Sequence, residues 1–303
     1  MSIFISVASY RDPALEDTLK SAVENASGKE AIKFGIVQQD LETVDLSFIK
    51  QYSLTLMHPR HARGVGLARS KAMDLYTDED YYLQVDSHTI FSKNWDLKCI
   101  EQLTLSQQIA RNKKVILSSF PPPYSIERNG SQFIHSISTD ELPVEPTKQV
   151  PWLRVDNQWG AKRLPFDDLS YSKPELSTTV LGGFIFATGD IVKEVPYDEE
   201  ISFFGEEICF AMRAWTRGWD IYSPPIPIVY HFYKRNGYKK IWSDEVRREV
   251  NWDQIQTKSQ QKQKKVLCGI EDGIMGAGNV RSLEEYQQLI GYDFNKIYKD
   301  LTF

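Results

Sequence analysis

The chain has 303 residues, 41% hydrophobic and 25% charged, with a net charge of −5. That length supports one large or two modest domains with a core, and the charge argues against a protein that holds nucleic acid by bulk electrostatics. Cys99, Cys209 and Cys268 are scattered and odd in number, no apolar run approaches the roughly 20 residues of a membrane span, and Met1 runs without a basic leader into Ile3–Ser9. The expectation is a soluble, cytoplasmic protein with no membrane partner.

Ile3 to Ser9 reads as a strand, and Asp12-Pro13 as a helix N-cap followed by proline in the first helical position. Leu15, Leu19, Ala22, Val23 and Ala26 then recur at helical spacing. Strands follow at Ile32–Gln38 and Leu54–Met57, a helix at Val65–Tyr76, and a strand at Tyr81–Val85. Trp95–Arg111 reads as a helix and Val115–Ser119 as a strand. This alternation predicts an α/β fold with a mostly parallel sheet flanked by helices.

From Pro121 to about Glu175 the chain is rich in Pro, Ser, Asn and Asp and has no sustained period, the mark of a functional loop or lid. Regularity returns at Val180–Thr188, in a helix over Glu206–Arg217, and in a last strand over Ile226–Phe232. The Lys258–Lys265 run reads as a solvated helix face or connector. Leu283–Ile290 and Phe294–Leu301 read as closing helices. The division expected is a catalytic domain at 1–235, with a lid insertion at 121–175, and a helical extension at 236–303 packed on it.

Four segments carry chemistry. Asp86-Ser87-His88 ends an apolar strand, so a carboxylate and an imidazole two residues apart point to one side. That pair can hold a divalent cation, and His231, at the end of another apolar run, is a third candidate ligand. Gly64-Val65-Gly66-Leu67-Ala68-Arg69, preceded by Arg60 and Arg63, opens a helix whose N-terminus favours anions. His58 and His61 read as loop residues. Gly182-Gly183 interrupts a strand-like run, and Phe204-Gly205-Glu206-Glu207 leads into a helix. Ligands bind at the carboxyl ends of strands in open α/β sheets, so the residues by themselves point to a metal-assisted enzyme acting on a phosphorylated donor.

In this order the segments resemble retaining nucleotide-sugar glycosyltransferases of the GT-A fold. The opening Ser6–Pro13, with Asp86-Ser87-His88, Phe204–Glu207 and Tyr230–Tyr233, is most similar to glycosyltransferase family sixty, over residues 3 to about 235. Its members are cytoplasmic UDP-GlcNAc transferases acting on hydroxyproline of Skp1. A more distant resemblance is to polypeptide GalNAc transferases. Their DxH motif matches Asp86 and His88, their GxxxAR helix Gly64, Ala68 and Arg69, and their AGG-type strand Gly182 and Gly183. Their WGGEN-type segment matches Gly205 and Glu206, with Arg213 and Trp215 downstream, and their late metal histidine falls on His231. Glu207 stands where that family has Asn, and its lectin domain has no counterpart.

The resemblance implies that Ser6, Ala8, Tyr10 and Arg11 line a uridine pocket, with Gly64 and Arg69 also on the donor. It implies that Asp86, His88 and His231 hold Mn²⁺ (or Mg²⁺) on the diphosphate. Gly182, Gly183 and Glu206 would orient the donor sugar, with Glu207 near the acceptor, so that Asp86, Glu206 and Glu207 are the catalytic set. The implied substrates are a UDP-sugar, GlcNAc foremost, and a hydroxyl acceptor: protein hydroxyproline, a glycan, or a modified nucleobase, nucleic acid entering only as acceptor. A noncatalytic nucleotide-sugar-binding module is the rival from another class.

Overall fold

The structure, a computed structural model, describes residues 1–129, 132–136, 145–155, 158–235 and 237–299. Its strands in chain order are β1 (Ser2–Tyr10), β2 (Ala31–Gln39), β3 (Tyr52–Met57), β4 (Tyr81–Asp86), β5 (Thr89–Phe91), β6 (Val115–Ser118), β7 (Ser125–Asn129), β8 (Gln132–Ser136), β9 (Thr147–Leu153), β10 (Trp159–Pro165), β11 (Glu175–Ser177), β12 (Phe184–Thr188), β13 (Asp220–Ser223) and β14 (Val229–His231). The helices are α1 (Leu15–Asn25), α2 (Val65–Met73), α3 (Trp95–Ala110), α4 (Asp190–Glu194), α5 (Glu206–Thr216), α6 (Trp252–Leu267), α7 (Leu283–Ile290) and α8 (Phe294–Ile297). Among the described residues no helix is long and apolar enough to cross a membrane.

Eight strands form one sheet in the order β11-β13-β6-β12-β4-β1-β2-β3. The pairs β1–β2, β1–β4, β2–β3 and β6–β13 are parallel, while β12 runs antiparallel between β4 and β6. The α/β expectation of a mostly parallel sheet with flanking helices holds. Period-two alternation sends successive side chains of β1 to opposite faces. Ile3, Ile5 and Val7 pack with Leu15, Leu19 and Ala22 of α1 and with Trp95, Cys99 and Leu103 of α3. Phe4 joins Tyr82, Ile185 and the α5 residues Ile208, Cys209 and Ala211 on the other face. Val266, Leu267, Tyr286 and Phe294 are fully buried in that same second core. At roughly 1.5–3 kcal/mol for each large apolar side chain buried, the residues beyond 236 are integral to its stability.

Several elements depart from the sequence reading, each for a local reason. Helix α1 begins at Leu15, with Asp12 accepting the Ala14 N–H at 3.0 Å, so Asp12 sits ahead of the helix rather than as its N-cap. The strand expected from Val180 begins at Phe184, because Leu181 and Phe184 close a turn around the glycine pair. The strand expected at Ile226–Phe232 shrinks to β14, outside the main sheet, since Pro224, Pro225 and Pro227 lack the N–H a ladder needs. Residues 121–175 hold the antiparallel pairs β7–β8 and β9–β10 and lead into the edge strand β11. The Lys/Gln run lies mostly in the C-terminal half of α6, and its Ser259, Gln263 and Lys264 are buried. The helix expected over Phe294–Leu301 is the short α8; residues 300 and 301 of that expectation lie outside the described residues.

Candidate active site and metal centre

Strands β1 and β4 lie side by side with Ala8 opposite Asp86, so both end at one rim. Past Asp86 the chain turns through Ser87 and His88 into β5. That short strand pairs antiparallel with β14, setting His231 opposite Thr89. Two chain segments 145 residues apart thus meet, and His231 Nε2 lies 3.1 Å from Asp86 Oδ2. His88 Nε2 is 3.9 Å from the same oxygen, and one ligand atom from each of the three residues falls within 4.8 Å of the others. Bonds from a shared cation are on the order of 2 Å, so ligand atoms 3–4 Å apart are spaced to meet on one ion.

The protonation pattern fits the same use. His88 Nδ1 is 2.8 Å from Asp12 Oδ2, an acceptor, so the ring proton sits on Nδ1 and Nε2 keeps its lone pair, 3.4 Å from Arg235 Nη1 and 3.9 Å from Asp86 Oδ2. Burial lowers the His88 pKa further than Asp12 raises it, leaving the ring neutral. Burial alone would raise Asp86, but the His231 hydrogen bond and the Arg69 charge hold it well below the usual carboxylate range. Asp12 also accepts from Ser87 Oγ at 2.9 Å and from Arg235 at 3.0 Å.

A second layer of charge lies beneath. The Arg69 guanidinium meets Asp86 at 3.1 Å and Glu206 at 3.5 Å and lies over the Tyr197 ring. A Cβ on Gly182 would overlap that guanidinium, and one on Gly183 would sit 3.2 Å from Asp86 Oδ2. Glu207 accepts the Gly182 N–H at 2.8 Å. Burial, reinforced by the neighbouring Glu206 carboxylate, pushes Glu207 up to about 8. Burial raises Glu206 as well, and its Oε2 has no hydrogen-bond partner among the described residues. Asp86 and Glu206 thus share one guanidinium, with the Glu207 carboxyl held largely protonated behind them.

Above this layer opens a cleft of about 320 Å³. Of the residues singled out in the sequence, Ala8, Tyr10, Gly64, Arg69, Asp86, His88 and His231 line it. Gly182, Gly183, Glu206 and Glu207 lie behind Arg69 and Asp86. Ser6 shares the β1 face of Ala8 and Tyr10 but sits fully buried in mid-sheet, away from the cleft lining. Arg11 turns outward at φ 43° to bind Asp244 at 2.8 Å and Asp40 at 3.7 Å. The glycines of the α2 entrance admit the protein's own backbone: a Cβ on Gly64 or Gly66 would overlap the carbonyl of Ser202 or Ile201. Ser202 O accepts the Val65 N–H at 2.7 Å.

Five residues around the cleft escaped the sequence reading. Asp12 sits inside the opening motif but reads as a helix cap. Lys239, Lys240 and Trp242, from the polar tail, line the cleft. Asp244 accepts the Tyr10 hydroxyl at 3.1 Å and straps that tail to the end of β1. A lone carboxylate in a mixed tail carries no sequence signal for that role.

The model of the family described as Glycosyltransferase (GlcNAc) matches residues 2–51 and 44–296. The chain belongs to this family. The second matched segment reaches well into the tail, consistent with Asp244 and Trp242 serving the cleft. No curated protein matches this glycosyltransferase. Among solved structures, it is similar to GalNAc-T7 crystallised with UDP, GalNAc and Mn²⁺, at 15% identity and a TM-score of 0.57, over 99% of this chain and 57% of that one. It is also similar to S. aureus TarS 1-349 in complex with UDP-GlcNAc, at 12% identity and a TM-score of 0.53, over 100% of this chain and 74% of that one. This glycosyltransferase thus spans little more than half of the GalNAc-T7 chain, and both likenesses establish the GT-A fold.

Proposed function

We propose that this glycosyltransferase moves a sugar, GlcNAc foremost, from a UDP-sugar to a hydroxyl acceptor with retention, as members of glycosyltransferase family sixty do. The observation that carries the reading is the meeting of Asp86, His88 and His231 at one rim of the sheet. These three would hold Mn²⁺ or Mg²⁺, which supplies charge neutralisation on a departing diphosphate. The UDP and Mn²⁺ in the GalNAc-T7 crystal and the UDP-GlcNAc in the TarS crystal support such a donor here.

The remaining work falls to residues of this chain. Ala8 and Tyr10 border the uridine end of the cleft, with Gly64 and Val65 beside them. Arg69 fixes the Asp86 carboxylate and is itself wedged by Gly182. Lys239 and Lys240 bring positive charge to the phosphate end. Glu206, with one buried oxygen unpartnered, is suited to accept from a sugar hydroxyl. Glu207, protonated at neutral pH, keeps an O–H to offer. In the transfer, the bond from the anomeric carbon to the diphosphate oxygen breaks and one to the acceptor oxygen forms on the same face. The acceptor proton passes to the leaving phosphate, so the protein contributes position and field rather than a base.

In this reading residues 1–235 carry the catalytic machinery, and 236–303 form an extension that also closes the cleft. The unpaired thiols of Cys99, Cys209 and Cys268 suit the reducing cytoplasm where family sixty members act. A screen of UDP-sugars with Mn²⁺, read as UDP release, tests the proposal. Release that persists in chelator, or in Asp86→Ala at the full rate, rejects it.

A further inference from the structure

Beside the donor cleft runs a second depression of about 490 Å³, lined by Phe203, Phe204, Trp242, Trp252, Asp253 and Gln256, with Gln158 at its edge. Its aromatic rings form an unbroken series. Phe203 and Phe204 lie 4.5 Å apart, Phe203 and Trp242 5.6 Å, and Trp242 and Trp252 6.2 Å. Phe203 and Trp242 also line the donor cleft, so the groove opens directly from the site already described. Trp242 is 47% exposed, a large apolar surface that folding leaves in water. Phe204 and Gly205 adopt consecutive left-handed conformations, φ 56° and 92°. For phenylalanine that backbone is unfavourable and persists where the surroundings impose it, as they do at functional sites.

We propose that this groove is the acceptor subsite and that it takes a neutral oligosaccharide; the inference rests on the glycosyltransferase reading above. The apolar C–H face of a pyranose packs on indole and phenyl rings, and its hydroxyls need polar partners at the rim. The Asp253 carboxylate accepts hydrogen bonds. Gln256 gives its Oε1 to the Ser202 hydroxyl at 2.7 Å, which leaves its amide N–H groups to donate. Asp253 is the one charged residue among the described residues that line the groove, but Arg154, Lys240 and Arg247 stack on the Phe204, Trp242 and Trp252 rings at 5.4, 6.0 and 5.6 Å, so a single-stranded nucleic acid is a competitor that the test sets against the sugars. A hydroxyproline peptide also stacks on aromatic rings and carries a hydroxyl that can donate to Asp253, so the test sets it against the sugars as well.

The test uses the whole chain with Mn²⁺ and UDP, titrated calorimetrically with maltopentaose, cellopentaose and chitopentaose. The expected result is binding of at least one of them. Affinity should fall about tenfold in Trp252→Leu, which keeps apolar bulk, and return in Trp252→Phe, which restores a ring. With a sugar that also serves as acceptor, Trp252→Leu should raise the acceptor KM while the donor KM moves less than about twofold. Failure of the wild type to bind UDP would defeat the donor reading. UDP binding without any of the three sugars bound at about 10 mM, or sugar binding unchanged in Trp252→Leu, would defeat the groove alone. So would displacement of the sugars by a short hydroxyproline peptide or oligonucleotide at lower concentration. Thermal melts of both variants identify a folding defect, and Asp253→Ala, at an exposed position, then gives an independent loss of sugar affinity.

Discussion

The carboxylate of Asp12 stands 2.8 Å from Nδ1 of His88, 76 positions further along the chain. That contact fixes both the tautomer and the ring plane of a proposed metal ligand. Outer partners of ligating histidines typically govern 10–100-fold in metal affinity. Asp12→Asn should therefore weaken Mn²⁺ binding by about that factor while Asp86 and His231 remain. A Mn²⁺ titration followed by electron paramagnetic resonance reads the change directly, and an unchanged affinity would remove Asp12 from the metal site.

Asp86→Ala should reduce Mn²⁺-dependent UDP release by about a thousandfold or more. The Asp86 side chain is 27% exposed and Arg69 keeps Glu206 as a partner, so the variant should stay folded. UDP release and a thermal melt on one sample separate lost chemistry from lost structure.

Gly64 answers to packing as much as to ligand. It sits at φ 120°, and a Cβ there would overlap the Ser202 carbonyl, a backbone atom that cannot turn aside. Gly64→Ala should cost about 3 kcal/mol of stability, measured by chemical denaturation. A neutral result would mean that the 198–202 segment is free to retreat.

The legibility of this molecule followed its physics. Buried runs such as Ile3–Val7 and Tyr82–Val85 pack on both faces of the sheet, so composition alone marks them as strands. Asp86 and His88 were readable because they end such a run. Their meeting with His231 was not, since it depends on the β5–β14 pairing, two three-residue strands with almost no pattern. His231 was a candidate because it too ends an apolar run, and the resemblance to known families strengthened it. The hairpin β9–β10 escaped because its exposed residues alternate weakly and Pro151 interrupts it. Of the residues expected at the uridine pocket, Ser6 is buried in the sheet and Arg11 pairs with Asp244 and Asp40, placements that depend on tertiary partners distant in the chain.

Glu207 makes stability depend on pH in a stated direction. Its pKa rises from 4.5 to about 8 on folding, so between those values the native protein holds a proton that the unfolded chain has lost. Its contribution is complete below about 4.5 and disappears as pH climbs through about 8. In chelator, Glu207→Gln should flatten the decline of Tm across that window. An identical slope in variant and wild type would show that Glu207 ionises normally.

Asp244 accepts from Tyr10 at 3.1 Å and from Arg11 at 2.8 Å, joining the tail to the end of β1. Charged hydrogen bonds of this kind contribute on the order of 1.5–3 kcal/mol. Asp244→Ala should raise the donor KM about tenfold with a smaller change in kcat, as read from initial rates at varied UDP-sugar. An unaltered KM would mean that the strap does not shape the donor cleft.

The same strap has a consequence for biosynthesis. Tyr10 and Asp244 are separated by 234 positions, and Asp12 and Arg235 by 223. A polypeptide still emerging from the ribosome has completed β1, β4 and most of the sheet well before these partners arrive. The Tyr10–Asp244 and Asp12–Arg235 hydrogen bonds beside the cleft therefore close only after the segment to residue 244 has been made.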